Sequence, residues 1–265
     1  MFGAIEAGGT KFVCAVGTGP DDAVISAEIP TTTPEETMAG VAAFFKGKKL
    51  RRVGIGCFGP VDLAGGRIAR STPKVAWRGF GIQAWVEKAL GVKTVLDTDV
   101  NGAVMGEYLW GAGRGIDPLL YLTVGTGIGG GGIAGGRLLH GLLHPEMGHV
   151  RVPRVEVAPG ICHAHGDCLE GLASGPAIAA RGGDYGLAAE YLGMAVQNYT
   201  CVLSPRMILI GGGVMKYPGM LGMVRAAAKK YMNGYAPLPV IRAPKFGQRA
   251  GTFGALALAV RGGKV

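Results

Sequence analysis

The sequence is poor in charged residues and has no long apolar run. Only 17% of its 265 residues are charged and 48% are hydrophobic, which excludes a disordered chain because disorder goes with low hydrophobicity and high charge. No apolar run reaches the length of a membrane span, and the start MFGAIEAGGT lacks the basic and apolar regions of a signal peptide. We therefore expect a cytoplasmic protein with no membrane partner.

Cysteine is scarce and scattered along the chain. The cysteines are Cys14, Cys57, Cys162, Cys168 and Cys201. An odd number in a chain long enough to bury a large core indicates no disulfide framework and favours a reducing compartment.

Two nucleotide-binding motifs are absent or incomplete. The P-loop pattern G-x-x-x-x-G-K-[ST] does not occur. The letters GTGIGG match the dinucleotide pattern G-x-G-x-x-G, but that pattern should open a helix, and here another glycine-rich apolar strand is predicted to follow. A hairpin that holds phosphates is the better interpretation.

The net charge is positive, at +9 with an isoelectric point near 9.4. Such a charge suits nucleic acid, a membrane surface or small anions such as nucleotides. The densest basic run, KGKKLRR (Lys46–Arg52), follows the helix-like TPEETMAGVAAFF, where the helix dipole favours cations. No aromatic residues interleave with this run as single-strand binding would require, so we expect no nucleic-acid partner.

The 49 glycines indicate many tight turns, and two segments share one pattern. FGAIEAGGTKFVCAV and LLYLTVGTGIGGGGIAGG each read as strand, glycine turn and strand, which predicts a duplicated fold. Strand and helix patterns alternate around them, which favours an α/β architecture. We divide the chain into an N-terminal lobe (1–112), a C-terminal lobe (113–250) and a terminal helix (251–265) that packs back on the first lobe.

Three glycine-rich turns each follow an apolar strand. Backbone amides can approach a phosphate closely where no Cβ intervenes, and threonine or lysine adds donors and charge. Together the three turns predict nucleotide binding. The residues are Gly8, Gly9, Thr10 and Lys11 in the first turn, Gly125, Thr126 and Gly127 in the second, and Gly211, Gly212 and Gly213 in the third.

Acidic residues follow one strand and lie next to the first turn. In VLDTDVNGAVMGE the strand ends in Asp97, Thr98, Asp99 and Asn101 before a helix. Asp99 could serve as a general base for phosphoryl transfer, or this group could simply cap the helix. Glu6 could hold Mg²⁺ through water, or it could be an ordinary hairpin carboxylate.

The stretch ICHAHGDCLEG crowds cysteine and histidine together. Cys162, His165 and Cys168 form C-x2-H-x2-C, and His149 lies thirteen residues upstream. This set matches a structural zinc site, with uncoordinated loop residues as the alternative. The cysteines are six apart, which excludes a C-x-x-C redox pair. His163 is left out because sequence neighbours seldom converge on one metal.

Seven motifs occur in order along nearly the whole chain: EAGGTKFVCAVG, GCFGPVDL, STPKVAW, DTDVNGAVMGEYLWGAG, LTVGTGIGGG, HPEMGHV and CHAHGDCLEGLASGPAI. Together they resemble the ROK family of bacterial sugar kinases, particularly its fructokinase branch. The resemblance implies a two-lobed actin-like ATPase fold of the hexokinase type, built from duplicated RNase H-like halves.

The resemblance also implies an activity and its residues. The implied reaction is ATP-dependent phosphorylation of a hexose, D-fructose to fructose 6-phosphate, with Asp99 as the general base. Asn101, Glu146, His149 and Glu170 would bind the sugar. The resemblance further implies a Mg²⁺ ion bound with ATP and a homodimer. It also implies a structural Zn²⁺ held by His149, Cys162, His165 and Cys168.

Alternatives within the family remain open. The acceptor could be glucose, mannose or an N-acyl hexosamine, or the protein could be a catalytically silent sugar sensor. Sugar-responsive repressors of the family carry a winged helix-turn-helix before the sugar domain, and we expect none here. The sequence is shorter than the family pattern around 180–190 and 233–247. We expect this shortening to affect the adenine pocket, the dimer interface and the rate, and not the type of reaction.

Overall fold

The computed structural model describes residues 1–157 and 159–262 and divides into two compact units. The first unit contains residues 1–114, 140–144 and the chain from residue 248 onward, and the second contains 115–139 and 145–247. Segment 140–144, which the sequence analysis placed in the C-terminal lobe, therefore lies in the first unit. The reason is that His140 and His144 hydrogen-bond groups of that unit.

The strands confirm the predicted strand, turn and strand patterns. In the first unit they are β1 (Phe2–Ala7), β2 (Lys11–Gly17), β3 (Val24–Pro30), β4 (Val53–Cys57), β5 (Val61–Asp62), β6 (Arg67–Ile68) and β7 (Thr94–Thr98). In the second they are β8 (Leu119–Val124), β9 (Ile128–Ala134), β10 (Arg137–Leu138), β11 (Met207–Gly211) and β12 (Val240–Arg242).

Each unit carries a five-stranded sheet of the same topology. The first sheet has the order β3-β2-β1-β4-β7 and the second β10-β9-β8-β11-β12. In each, the first three strands along the chain form an antiparallel meander and the next two add in parallel beside the first strand. The shared topology confirms the duplication expected from the repeated hairpin pattern.

The α-helices lie between the strands along the chain and after the last strand. They are α1 (Pro34–Phe45), α2 (Ile82–Leu90), α3 (Asp99–Trp110), α4 (Leu169–Ala173), α5 (Gly175–Ala180), α6 (Tyr185–Leu203), α7 (Met220–Met232) and α8 (Ala250–Arg261). The predicted terminal helix ran to residue 265, but α8 ends at Arg261, and residues 263–265 lie outside the described residues. In the described ranges, no helix combines the length and hydropathy needed to cross a membrane.

Local sequence sets the ends of α1. Thr33 caps the helix by accepting a hydrogen bond from the Glu36 amide, and Pro34 occupies the first turn, where its missing N–H costs nothing. After the helix ends, the Lys48 ammonium donates to the Phe44 carbonyl of the last turn. The basic run therefore begins as a helix C-terminus, as its sequence predicted.

Aromatic and aliphatic side chains fill a separate core in each unit. In the first unit the buried Trp77 ring lies 5.1 Å from Phe12 and 5.3 Å from Phe80 between ring centroids. In the second, Tyr191 and Leu192 of α6 are fully buried. Each core combines strand residues of that unit's five-stranded sheet with helix residues.

Glycines let α3 and α8 pack backbone to backbone in the first unit. A Cβ atom at Gly254 would lie 2.3 Å from the Gly102 carbonyl carbon, and one at Gly54 of β4 would lie 1.9 Å from the Ala255 carbonyl oxygen. Real side chains cannot approach backbone this closely, so α3, α8 and β4 depend on these glycines. This packing positions the first turn of α3, which carries Asp99.

We expect Gly254→Ala to lower the free energy of unfolding by about 1–3 kcal/mol, since two helix backbones must separate to admit one methyl group. Thermal and denaturant unfolding measure the change. Gly222→Ala is the matched control: Gly222 is exposed in α7 with nothing within 4 Å of the new Cβ, and alanine should stabilise that helix by up to about 1 kcal/mol. Equal effects at both positions would contradict the packing argument.

Candidate functional site

The first glycine turn is a tight connection between β1 and β2. The Gly8 amide donates to the Lys11 carbonyl at 3.0 Å, and the Thr31 hydroxyl donates to the Gly8 carbonyl at 2.7 Å. A Cβ atom at Gly8 would lie 2.6 Å from that Lys11 oxygen, so only glycine fits. Thr10 and Lys11 are exposed, and Lys11 forms an ion pair with Glu28.

Glu6 precedes this turn at the end of β1. Its carboxylate accepts a hydrogen bond from the Thr252 hydroxyl in the first turn of α8. Burial raises the pKa of Glu6 above its ordinary value, while the Thr252 hydrogen bond and the Lys11 charge oppose that rise. The structure thus gives Glu6 a protein partner, and its magnesium role stays a prediction.

Lys74 lies beside the first turn and was not among the predicted site residues. Its Cε atom would be 3.4 Å from a Cβ atom placed on Gly9, and its side chain is exposed. The backbone at Lys74 is held by the buried Thr72 hydroxyl at 3.4 Å and by the amide of the buried Trp77 at 2.9 Å. The signal for Lys74 was its place in STPKVAW, one of the motifs that carry the family resemblance.

Asp99 is the first residue of α3, directly after β7. It is half-buried, and its Oδ1 accepts a hydrogen bond from the Val100 amide at 2.8 Å. The helix cap is Thr98, whose hydroxyl accepts from the Asn101 amide at 3.1 Å. The alternative prediction for the acidic residues was that they cap this helix. Thr98 performs that role instead.

Asp97 and Asn101 form a buried pair in the same unit. The Asn101 side-chain amide donates to Asp97 Oδ1 at 2.8 Å, and both residues are almost fully buried. Asp97 Oδ2 lies 2.9 Å from Nε2 of His140, a residue that sequence reasoning missed because it is 43 positions away in the chain. Nothing in the local pattern around His140 could have predicted this contact.

The second glycine turn connects β8 and β9, as predicted. The Gly125 amide donates to the Gly127 carbonyl at 2.9 Å, and the Gly175 amide at the start of α5 donates to the Gly125 carbonyl at 2.7 Å. Glu170 of α4 accepts from the Ile128 amide at 2.9 Å. A Cβ atom at Gly127 would lie 2.6 Å from the same Glu170 oxygen, so α4 and α5 pack directly against this turn.

The third turn, Gly211–Gly213, lies next to the second within the same unit. Gly212 adopts a φ of +99°, and a Cβ atom there would lie 2.3 Å from the Val124 carbonyl oxygen. Because β8 and β11 are parallel neighbours, their glycine turns leave the same edge of the sheet. Sequence spacing predicted both turns, but only the sheet order brings them together.

The four residues proposed for zinc converge in the second unit. The nearest nitrogen or sulfur atoms of His149, Cys162, His165 and Cys168 all lie within 4.8 Å of one another. The loop folds because Cys162 and Gly166 exchange two backbone hydrogen bonds, of 3.0 and 2.8 Å, and Gly166 takes a φ of +63°. His165 and Cys162 thereby face the same side of a tight hairpin.

The distances from His149 Nδ1 within this cluster are close to the edges of a zinc tetrahedron. Zn–N bonds of about 2.0–2.1 Å and Zn–S bonds of about 2.3 Å require edges of about 3.3 Å between nitrogens and about 3.6 Å between nitrogen and sulfur. The two Nδ1 atoms are 3.2 Å apart, and His149 Nδ1 lies 3.5 Å from Cys168 Sγ and 3.8 Å from Cys162 Sγ. The donor set and spacing therefore suit Zn²⁺.

His149 connects this cluster with Glu146. Its Nδ1 faces the cysteines, while its Nε2 lies 3.9 Å from the Glu146 carboxylate. The Glu146 side chain is 41% exposed and that of His149 is 26% exposed, so both remain accessible to a small ligand. Each nitrogen of the ring thus has a separate set of neighbours.

The chain matches the description "ROK family" over residues 2–187 and 185–261. The chain belongs to the ROK family. A protein named putative fructokinase from Bacillus subtilis is 41% identical, with 98% of this chain and 95% of the relative covered. A fructokinase from Lactococcus lactis is 39% identical, with 90% of this chain and 87% of the relative covered.

Solved ROK structures share the fold. A ROK hexokinase from Thermus thermophilus is 28% identical, with a TM-score of 0.84 and 97% of each chain covered. A ROK glucokinase from Streptomyces griseus, solved with glucose and AMPPNP, is 27% identical, with a TM-score of 0.81, covering 98% of this chain and 99% of that one. These similarities confirm the actin-like ATPase fold expected from the sequence.

Proposed function

We propose that this ROK protein is an ATP-dependent sugar kinase that converts D-fructose to fructose 6-phosphate. The observation that carries the proposal is Asp99, half-buried at the start of α3, in a chain 41% and 39% identical to proteins named fructokinase. The same unit holds the first glycine turn. An acceptor-activating carboxylate and a phosphate-binding turn are the minimal parts of phosphoryl transfer.

In the proposed reaction, Asp99 accepts the proton of the sugar 6-hydroxyl as that oxygen attacks the γ-phosphorus of ATP. The new O–P bond forms, the bond to the β-phosphate oxygen breaks, and ADP leaves with the electron pair. Mg²⁺ bound with ATP would supply positive charge at the phosphates, with Glu6 as its proposed indirect ligand. The glycine turns Gly8–Lys11, Gly125–Gly127 and Gly211–Gly213 would hold ATP through backbone amides.

We assign sugar binding to Asn101, Glu146, His149 and Glu170. Carboxylate oxygens can each accept more than one hydrogen bond, which suits vicinal hydroxyls. Glu170 also accepts a hydrogen bond from the Ile128 amide, so a shift of α4 would also move the second glycine turn. The His149 Nε2 and the Glu146 carboxylate, exposed side by side, support this assignment.

Zinc is proposed as a structural ion at His149, Cys162, His165 and Cys168. The tetrahedral distances and the thiolate and imidazole donors support it. The ion would stiffen the loop that leads from Cys168 into α4, and thus the position of Glu170. It would support substrate recognition and take no part in phosphoryl transfer.

The assembly of the protein is proposed from the family resemblance, and its location from the odd number of scattered cysteines, which favours a reducing compartment. We propose a cytoplasmic homodimer that binds hexose and ATP and has no nucleic-acid or membrane partner. Light scattering after size exclusion, at micromolar protein, measures the oligomeric state. A mass of one chain across that concentration range would contradict the dimer.

A coupled ADP-release assay over a hexose panel tests the proposed function. We expect the highest kcat/KM with D-fructose, lower values with glucose, mannose and N-acyl hexosamines, and fructose 6-phosphate as the product by ³¹P NMR. Preference for another hexose would replace the substrate but keep the kinase. ADP release no faster than the sugar-free background with every hexose would support the silent sensor instead.

A further inference from the structure

A buried carboxylate connects a histidine with the proposed sugar-binding asparagine. The Asp97 side chain is only 2% exposed. Its Oδ1 accepts from the Thr98 amide and from Asn101 Nδ2, each at 2.8 Å, and its Oδ2 lies 2.9 Å from His140 Nε2. All of these residues belong to the first unit.

The protonation of His140 follows from this arrangement. An ionised carboxylate can only accept hydrogen bonds, and a buried one requires partners, so His140 Nε2 must carry the proton. The hydrogen bond to Asp97 raises the pKa of His140 from its ordinary value, although burial opposes the rise. Nε2 donates in both the neutral and the charged ring, so the hydrogen bond does not depend on the charge.

Asp97 also determines which way the Asn101 amide points. Nδ2 of Asn101 must face Asp97, because a flipped amide would place Oδ1 against a carboxylate oxygen. Asn101 is fully buried, and among the described residues no group hydrogen-bonds to its Oδ1. A buried acceptor without a partner is unfavourable, so its orientation indicates a donor that arrives with a ligand.

The segment that carries His140 is attached to this unit at two points. Four residues further along the chain, His144 is buried, and its Nε2 accepts a hydrogen bond from the Val61 amide at 3.1 Å. The His140 side chain is 30% exposed, and its Nε2 lies 2.9 Å from Asp97 Oδ2 and 3.3 Å from Asn101 Nδ2. A fixed backbone gives the His140 donor a defined position.

We propose that His140 is a positioning residue of the sugar site, whose Nε2–H holds Asp97 so that Asp97 orients Oδ1 of Asn101 toward a hydroxyl of the sugar. This inference rests on the proposed kinase function. His140 touches neither the sugar nor ATP. It acts through Asp97, and Asn101 is the residue that binds.

Kinetics of His140→Ala and His140→Gln test this inference, because the glutamine side-chain amide can place a donor near the Nε2 position. We expect His140→Ala to raise the KM for fructose about tenfold, the equivalent of one hydrogen bond. The hydrogen bond between Asn101 and the sugar forms in the bound complex as well as in the transition state, so kcat should change by less than about threefold. The KM for ATP should not change, and His140→Gln should restore the fructose KM to within about threefold of wild type.

A double-mutant cycle with Asn101→Ala separates positioning from a general structural role. If His140 acts through Asn101, the variant with both changes should bind fructose no more weakly than Asn101→Ala alone. In an active enzyme, three outcomes would overturn this inference and leave the proposed function standing. They are additive effects of the two changes, an unchanged fructose KM in His140→Ala, and equal losses in the alanine and glutamine variants. A wild-type protein inactive on every hexose would overturn the proposed function, and the inference with it.

Discussion

Asp99→Asn is expected to lower kcat for fructose phosphorylation by about 10²–10⁴-fold, the range for loss of a general base. Asparagine keeps the size of the side chain, and its oxygen can still accept from the Val100 amide as Asp99 does now. It cannot accept the proton of the sugar hydroxyl. The coupled ADP-release assay with saturating ATP and fructose measures the loss.

The fold and nucleotide binding should survive this substitution, because Thr98 caps α3 independently of Asp99. Calorimetric ATP binding and the melting temperature should therefore match wild type. Asp21→Asn, an isosteric change at an exposed position in the same unit, is the matched control and should leave kcat unchanged. Activity of Asp99→Asn within tenfold of wild type would assign the base elsewhere.

Removal of one proposed zinc ligand is the second change with a large expected effect. Cys168→Ser should abolish binding of one zinc per chain and lower the free energy of unfolding by about 4 kcal/mol or more, as loss of a structural metal can. That loss corresponds to a melting temperature about 8–16 °C lower for a chain of this size. Elemental analysis and thermal unfolding measure the two effects.

Kinetics distinguish the loop proposed to hold zinc from the glycine turns proposed to hold ATP. The fructose KM should rise more than the ATP KM, because Cys168 directly precedes α4 and Glu170. His163→Ala is the matched control: His163 neighbours Cys162 but is not part of the cluster, and this variant should keep its zinc. Wild-type protein that contains no zinc after purification without chelator would contradict the assignment.

The glycine turns could be predicted from the sequence because their cause is local. A short apolar strand followed by glycines and a second apolar strand specifies a hairpin, and Gly8 is required there by the Lys11 carbonyl 2.6 Å from its absent Cβ. The same holds for the C-x2-H-x2-C loop, where the hairpin closed by Cys162 and Gly166 sets the ligand spacing. A turn or loop whose geometry depends on neighbouring residues can be predicted from a local sequence motif.

The glycines between α3 and α8 show the opposite case. Gly102 and Gly254 read as ordinary small residues within helices, and glycine there normally weakens a helix. Their role follows from a contact between residues 152 positions apart in the chain, because a Cβ atom at Gly254 would lie 2.3 Å from the Gly102 carbonyl carbon. No local pattern encodes such an approach.

The sequence alone determined the α/β class, the duplicated hairpins and the family. Each of these depends on periodicity or on motifs of neighbouring residues. The tertiary structure alone decided that Thr98 caps α3, that Glu6 bonds Thr252 and that His140 holds Asp97. A buried polar group takes whichever partner the fold brings within hydrogen-bond distance, and that partner can lie anywhere along the chain.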